Sequence, residues 1–196
     1  MKKSPFIKTA LLLAVTFSLS VVTHAQTIYH NRVFDIRLNG TSNLHDWEMK
    51  AGAGKSEAAF IVDNGKVISM SKMNFSLPVR NLKSGHNAMD KNTYKALNTD
   101  VYPDISFVMG SGTITSAGGN NYNLVCRGNM TIAGTTNQTE LISTGVYNPA
   151  DRSFTVSGTK KMKMTDYKVT PPRALLGTLK TGNDISISYK VQFTNP

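Results

Sequence analysis

The sequence predicts an all-β protein of eight antiparallel strands or slightly more, with one short helix. Three observations predict it. Apolar residues recur at every second position over most of the chain, clusters of Gly, Asn, Asp and Pro cut that alternation at short intervals, and a single stretch carries a helical period. Alternation of this kind buries one face of a strand and wets the other, which is the habit of antiparallel sheets. Short strands joined by tight turns make a meander, which either closes on itself as a barrel or stacks as two sheets. Composition does not separate those two.

The chain opens on Met1-Lys2-Lys3, an apolar run from Thr9 to Val22, and the small-residue exit Thr23-His24-Ala25. A basic head, a short apolar middle and small residues at the exit describe a secretory signal peptide over residues 1–25, leaving residues 26–196 as the mature protein. A membrane-spanning helix needs about 20 apolar residues, and Thr16, Ser18 and Ser20 interrupt this run. The mature length suits one domain with a full core. Cys126 is the single cysteine, so no internal disulfide forms and burial must supply the stability. Alternating with apolar neighbours in Leu124-Val125-Cys126, it reads as a buried, inert thiol. An exported protein without disulfides fits the cell envelope better than a harsh external medium.

Along the mature chain the alternation runs through Phe34-Ile36-Leu38, Ala58-Phe60-Val62, Met73-Phe75-Leu77-Val79, Ile105-Phe107-Met109, and Leu124-Cys126 continuing to Met130-Ile132. Further strands are expected at Thr139 to Tyr147, Ser153 to Ser157 and Lys160 to Met164. The cleanest pattern comes last, with Ile185, Ile187, Tyr189, Val191 and Phe193 on one face and Ser186, Ser188, Lys190 and Gln192 on the other. Turn signals lie between the runs at Asp63-Asn64-Gly65, Ala117 to Asn121, Ala133 to Thr136, Asn148 to Asp151 and Thr181-Gly182-Asn183-Asp184. The helix is expected from Asn87 to Leu97, with Met89, Thr93, Ala96 and Leu97 on one side, and Val101-Tyr102-Pro103 ends it. Two prolines at Thr170-Pro171-Pro172 remove ladder donors and force a loop. Helix and loop are candidates for a lid, or for simple closure of one end.

The formal charge is +10, but Lys2, Lys3 and Lys8 belong to the leader, and the remaining lysines are spread along the chain. No arginine-rich stripe interleaves with aromatics, so nucleic acid is not an expected partner. The charge serves solubility and a mild, transient attraction to anionic membrane surfaces. Outside the leader the histidines are His30, His45 and His86, far apart and without a metal-ligand spacing. His45-Asp46 is not followed by a Gly-x-Ser-x-Gly elbow, the acids show no paired-carboxylate signature, and neither a haem motif nor a phosphate cradle is present. No metal, cofactor or catalysis is expected. His45 reads as a structural residue beside the packing Trp47. An enzyme on a lipid-like substrate would instead need His45, His86 and an acid to converge in the lumen.

Four segments in order resemble the YceI-like family of lipid- or polyisoprenoid-binding domains. They are Gly40-Thr41-Ser42-Asn43-Leu44-His45-Asp46-Trp47, then Met89-Asp90 through Ala96-Leu97 to Tyr102-Pro103-Asp104-Ile105-Ser106-Phe107, then Gly128 to Gly134 with Thr139-Glu140-Leu141, and finally Met162 to Tyr167 with Pro171-Pro172 and Gly177. The resemblance implies a lipocalin-like, eight-stranded antiparallel β-barrel, usually periplasmic, that encloses a long-chain apolar lipid such as a polyisoprenoid or isoprenoid quinone. One departure stands out: many relatives carry an Arg-Asp pair followed by a histidine before the helix, where this chain has Asn87-Ala88-Met89-Asp90-Lys91.

On that reading the inward strand residues form the ligand walls: Phe34, Ile36, Met73, Phe75, Leu77, Phe107, Met109, Met130, Met162, Met164, Ile187 and Tyr189. Each buried methylene contributes about 0.8 kcal/mol, so enclosing a chain of about twenty carbons supplies on the order of 15 kcal/mol before ordering costs. Thioether side chains adapt to an irregular apolar guest. The same residues could equally pack against one another. A filled barrel acting through its surface, as a structural or stress-related envelope protein, is the rival expectation.

Overall fold

The computed structural model describes residues 27–195, so the expected leader lies outside the described residues. Its elements are β1 (Thr27–Ser42), β2 (Trp47–Ala51), β3 (Lys55–Asp63), β4 (Lys66–Pro78), α1 (Asn87–Ala96), β5 (Asp104–Gly118), β6 (Asn121–Ile132), β7 (Thr135–Asn148), β8 (Ser153–Lys163), β9 (Arg173–Ala174) and β10 (Leu179–Thr194). Eight of the strands pair in the order β1-β3-β4-β5-β6-β7-β8-β10, all antiparallel, and β10 returns to β1 with Phe34 opposite Val191 and Leu38 opposite Ile187. The sheet is therefore a closed barrel and not a sandwich, and closure removes the free edges that an open sheet would expose.

Two hairpins follow directly from their turn residues. Asn64 and Gly65 lie at φ 48° and 73°, and Ala133 and Gly134 at 47° and 76°. Paired left-handed residues give the two-residue loop whose twist matches the strands it joins. The long β1 divides its second edge, with Thr27 to His30 on β3 and Ile36 to Gly40 on β2. Strand β2 is absent from the sequence expectation because five residues between Asp46 and Gly52 make a short run, although Trp47, Met49 and Ala51 keep the period of two.

Two other expectations need correction. Ser153 to Ser157 and Lys160 to Met164 are one strand, β8, and Met164 instead opens a 3-10 turn reaching Tyr167. Gly158 does not break that strand, because the Tyr189 ring and hydroxyl fill the space its missing side chain leaves. The turn expected at Thr181 to Asp184 lies inside β10. Gly182 is there because β10 passes close to β1 at a register shift, where a Cβ would sit 2.5 Å from Thr41 Oγ1. The real turn comes earlier, at Leu176 and Gly177, with φ 55° and 89°.

Inside the ring one end is packed solid. Phe60 stands at the centre with ring centroids 5.4 Å from Tyr29, 4.7 Å from Phe154 and 6.2 Å from Phe193, and Tyr122 meets Phe154 at 5.7 Å. All are edge-on contacts, the favoured geometry for ring quadrupoles. Tyr122 does not waste its hydroxyl: it accepts the Val67 amide at 3.0 Å. Gly145 leaves the room that Phe154 and Leu124 occupy. Because Phe154 is fully buried at the heart of this plug, Phe154→Ala is expected to lower stability by about 3–5 kcal/mol. Urea unfolding, read as a drop in midpoint at unchanged slope, measures it.

Candidate functional site

Opposite the aromatic plug the barrel is open, and α1 lies across the opening. The segment before the helix is tied to β2 by a two-way bridge, Lys50 to Lys83 and back, each bond 2.8 Å. Tyr94 then donates its hydroxyl to the Leu82 carbonyl at 2.8 Å, and Thr93 Oγ1 donates to Met49 Sδ at 3.4 Å. The start of the helix is organised by Asp90, whose carboxylate accepts the Ser84 amide at 2.8 Å and the Ser84 hydroxyl at 2.7 Å. These bonds turn the apolar side of α1, with Met89, Thr93, Ala96 and Leu97, toward the lumen.

Between α1 and the stretch from Met164 to Ala174 lies a cavity of about 440 Å³. Its apolar wall includes Leu38, Trp47, Met49, Met89, Ile132, Met162, Val169 and Ile185. The helix and the Pro171-Pro172 loop thus flank this opening. Deeper in the barrel is a second space of about 110 Å³, walled by residues such as Phe34, Leu77, Cys126, Leu141 and Val191. Leu38, Ile132 and Met162 line both spaces and form the neck between them. Past the inner space the rings of the plug begin.

Ten of the residues expected as walls line these cavities: Phe34, Ile36, Met73, Phe75, Leu77, Met130, Ile187 and Tyr189 the inner one, Met164 the outer, and Met162 both. Phe107 and Met109 line neither. Phe107 is fully buried and stacked on Phe75, centroids 5.9 Å apart. Met109 folds over Gly112 beside Met70, at a bulge in β5. Sequence reasoning missed Trp47 and Met49 as wall residues. Their alternation on β2 was the available signal.

Polar groups collect around the outer cavity. His45, His86, Lys163 and Arg173 line it together with Ser42, Asn92, Thr93 and Thr181, and no carboxylate is among its lining residues. The two histidines that an enzyme would need do share this opening, without a lining acid. His45 Nδ1 donates to the Asp46 carbonyl at 2.7 Å, and Trp47 Nε1 donates to the Thr41 carbonyl at 3.0 Å, which sets that ring over Gly40. Cys126 is buried on the inner wall, and that burial pushes its thiol up to about 11. It stays a protonated apolar filler at neutral pH. Among the described residues no three metal-ligating side chains gather.

A family model of the YceI-like domain matches residues 27–193. The chain belongs to the YceI-like family. No curated protein matches it. Among solved structures, this YceI-like barrel is similar to BcnA of Burkholderia cenocepacia at 19% identity and a TM-score of 0.62, over 81% of this chain and 95% of that one. It is also similar to a polyisoprenoid binding domain from Saccharophagus degradans, at 8% identity and a TM-score of 0.63, over 88% of this chain and all of that one. The YceI protein of Campylobacter jejuni is similar at 16% identity and a TM-score of 0.54, over 72% of this chain and 81% of that one. At such identities what is shared is the YceI-like fold.

Asp90 makes the helix anchor sensitive to acid. Burial alone would raise its carboxyl, but the Ser84 amide and hydroxyl, with Lys83 at 3.9 Å and His86 nearby, hold it below the usual carboxylate range. A lowered folded-state pKa contributes stability that is present above the unfolded value, about 3.9, and is lost as pH falls through the folded one. Asp90→Asn is therefore expected to be less stable at pH 7 and to lose less of its remaining stability between roughly pH 5 and pH 3. Parallel urea titrations of both proteins across that range check this.

Proposed function

We propose that this YceI-like protein carries a long apolar lipid, of the polyisoprenoid or isoprenoid-quinone type, in the periplasm and performs no chemistry on it. The observation that carries the reading is the apolar cavity of about 440 Å³ under α1, continued through the Met162 neck into a closed barrel. That volume falls within the range of about 300–1,000 Å³ typical of small-molecule sites. Hydrophobic burial is non-directional and proportional to area, so a long chain needs few polar contacts to bind tightly. The methionines at the neck and on the inner wall yield to an irregular guest at low cost. Membership of the YceI-like family supports the same ligand class, as does the description of the Saccharophagus degradans domain as polyisoprenoid binding. The leader pattern of residues 1–25 supports the compartment.

A carrier must meet a membrane to load, and the rim of the cavity suits that contact. Leu44 is 70% exposed and Leu176 is fully exposed. The two loops that hold them are joined by Asn43, which donates to the Thr178 carbonyl at 2.9 Å and accepts the Lys180 amide at 2.8 Å. Lys180 and Arg173 are exposed on the same strap. Apolar side chains flanked by cations match an anionic lipid surface.

Organic extraction and mass spectrometry of protein purified from its own cell envelope is the direct test: a prenyl lipid is expected, and repeated recovery of nothing apolar counts against carriage. Met162→Trp, which fills the neck, is expected to cut the recovered lipid roughly tenfold without unfolding the barrel, an effect of about 1.4 kcal/mol. In vesicle flotation with anionic lipid, the double variant Leu44→Asp, Leu176→Asp is expected to lose most of the bound fraction while keeping an unchanged circular-dichroism spectrum.

A further inference from the structure

Lys160 points the wrong way for a surface lysine. On β8 it shares the inward face with Phe154, Val156 and Met162, and across the ladder it stands opposite Ile187. It lines the inner cavity, and every other residue of that lining is uncharged. Its neighbours Lys161 and Lys163 are exposed. A lysine usually keeps its ammonium in water and buries only its stem, and a charge drawn into an apolar interior requires partners.

The partners inside are few. The pairing of β7 with β8 stops at Ser143 opposite Gly158, so Glu140 lies beyond that ladder, and its carbonyl accepts from Lys160 Nζ at 3.0 Å. That bond uses one of the three ammonium hydrogens. Among the described residues no carboxylate pairs with Lys160; the Glu140 side chain is engaged by Arg127 instead. Beside Lys160 on the lining are Ser143 and Tyr189, whose hydroxyls bond each other at 2.7 Å. Just inside the neck, the wall of this mostly apolar space thus holds one half-buried cation beside two hydroxyls, with donor capacity left over and no anion; the third hydroxyl of the lining, on Ser56, is bonded to the Asn74 carbonyl.

We propose that Lys160 anchors a carboxylate or carbonyl oxygen on the polar end of the lipid, which enters the barrel polar end first and leaves its chain in the larger apolar cavity under α1. The assignment rests on the carrier reading above and adds to it a chemical preference and a direction. The two spaces divide the work: the inner one holds the cation, and the outer one offers the apolar area.

Trp47 is the single tryptophan and lines the outer cavity, so its fluorescence reports filling. The delipidated protein, Lys160→Met and Lys160→Gln are each titrated with a C20 prenyl carboxylic acid and with a prenyl hydrocarbon of equal length. Unaltered protein is expected to bind the acid roughly ten to a hundred times more tightly, the range for a hydrogen bond to a charged group. Lys160→Met should abolish that preference while hydrocarbon binding holds or tightens. Lys160→Gln, which keeps a neutral donor for the Glu140 carbonyl, should retain the fold and recover part of the preference. Equal binding of acid and hydrocarbon, or a preference that survives in Lys160→Met, overturns the anchor and leaves carriage intact. Failure of both lipids to bind the unaltered protein overturns anchor and carriage together.

Discussion

The ladder between β1 and β10 is the constraint on which the rest depends. It runs from His30 opposite Thr194 to Ser42 opposite Thr181; its regular part, from Val33 opposite Gln192 to Gly40 opposite Ile185, is bounded by one extra residue on β1 at one end and two extra residues on β10 at the other. Without it the alternating stripes would face open solvent on one side of a curled sheet. With it, every inward residue of eight strands shares one enclosed space, and register decides which residues those are. Gly182 is part of the same device, since only a residue without a side chain lets β10 pass Thr41 where the shift occurs.

Enclosure alone does not produce a cavity. The barrel interior is divided along its length by the size of its inward residues. At one end the rings of Phe60, Phe154, Phe193, Tyr29 and Tyr122 meet in edge contacts and leave no space. Toward the other end aliphatic and thioether side chains are interspersed with rings such as Trp47, Phe34 and Tyr189 that do not close on one another, and α1 spans the gap instead of filling it. The filled-core and hollow-core expectations therefore each describe one half of the molecule.

Much of this was legible in the residues because it depends on local pattern. The period of two placed Phe34, Met73, Phe75, Met130, Ile187 and Tyr189 on the inside, and the helical period placed Met89, Thr93, Ala96 and Leu97 on one side of α1. The parts that escaped depend on contacts between distant segments. Gly182 resembles a turn residue and is in fact a close-approach residue, a difference set by Thr41 on another strand. Phe107 has the right parity for a wall, yet Phe75 covers it, and no single strand records that stacking. Lys160 breaks an otherwise apolar stripe; its meaning depends on where β7 and β8 part, which only the paired strands reveal.

The divided edge of β1 closes the two ends of the barrel in different ways. Toward the plug β1 pairs with β3 and β10, and β3 continues the ring through β4; toward the cavity its second edge meets β2, which among the described residues pairs with no other strand and whose Lys50 bridges to Lys83 ahead of α1. The ring is complete at the plug, and at the mouth it is completed by way of β2 and the segment leading into α1. One strand's change of neighbours therefore separates an end sealed by sheet from an end sealed by helix.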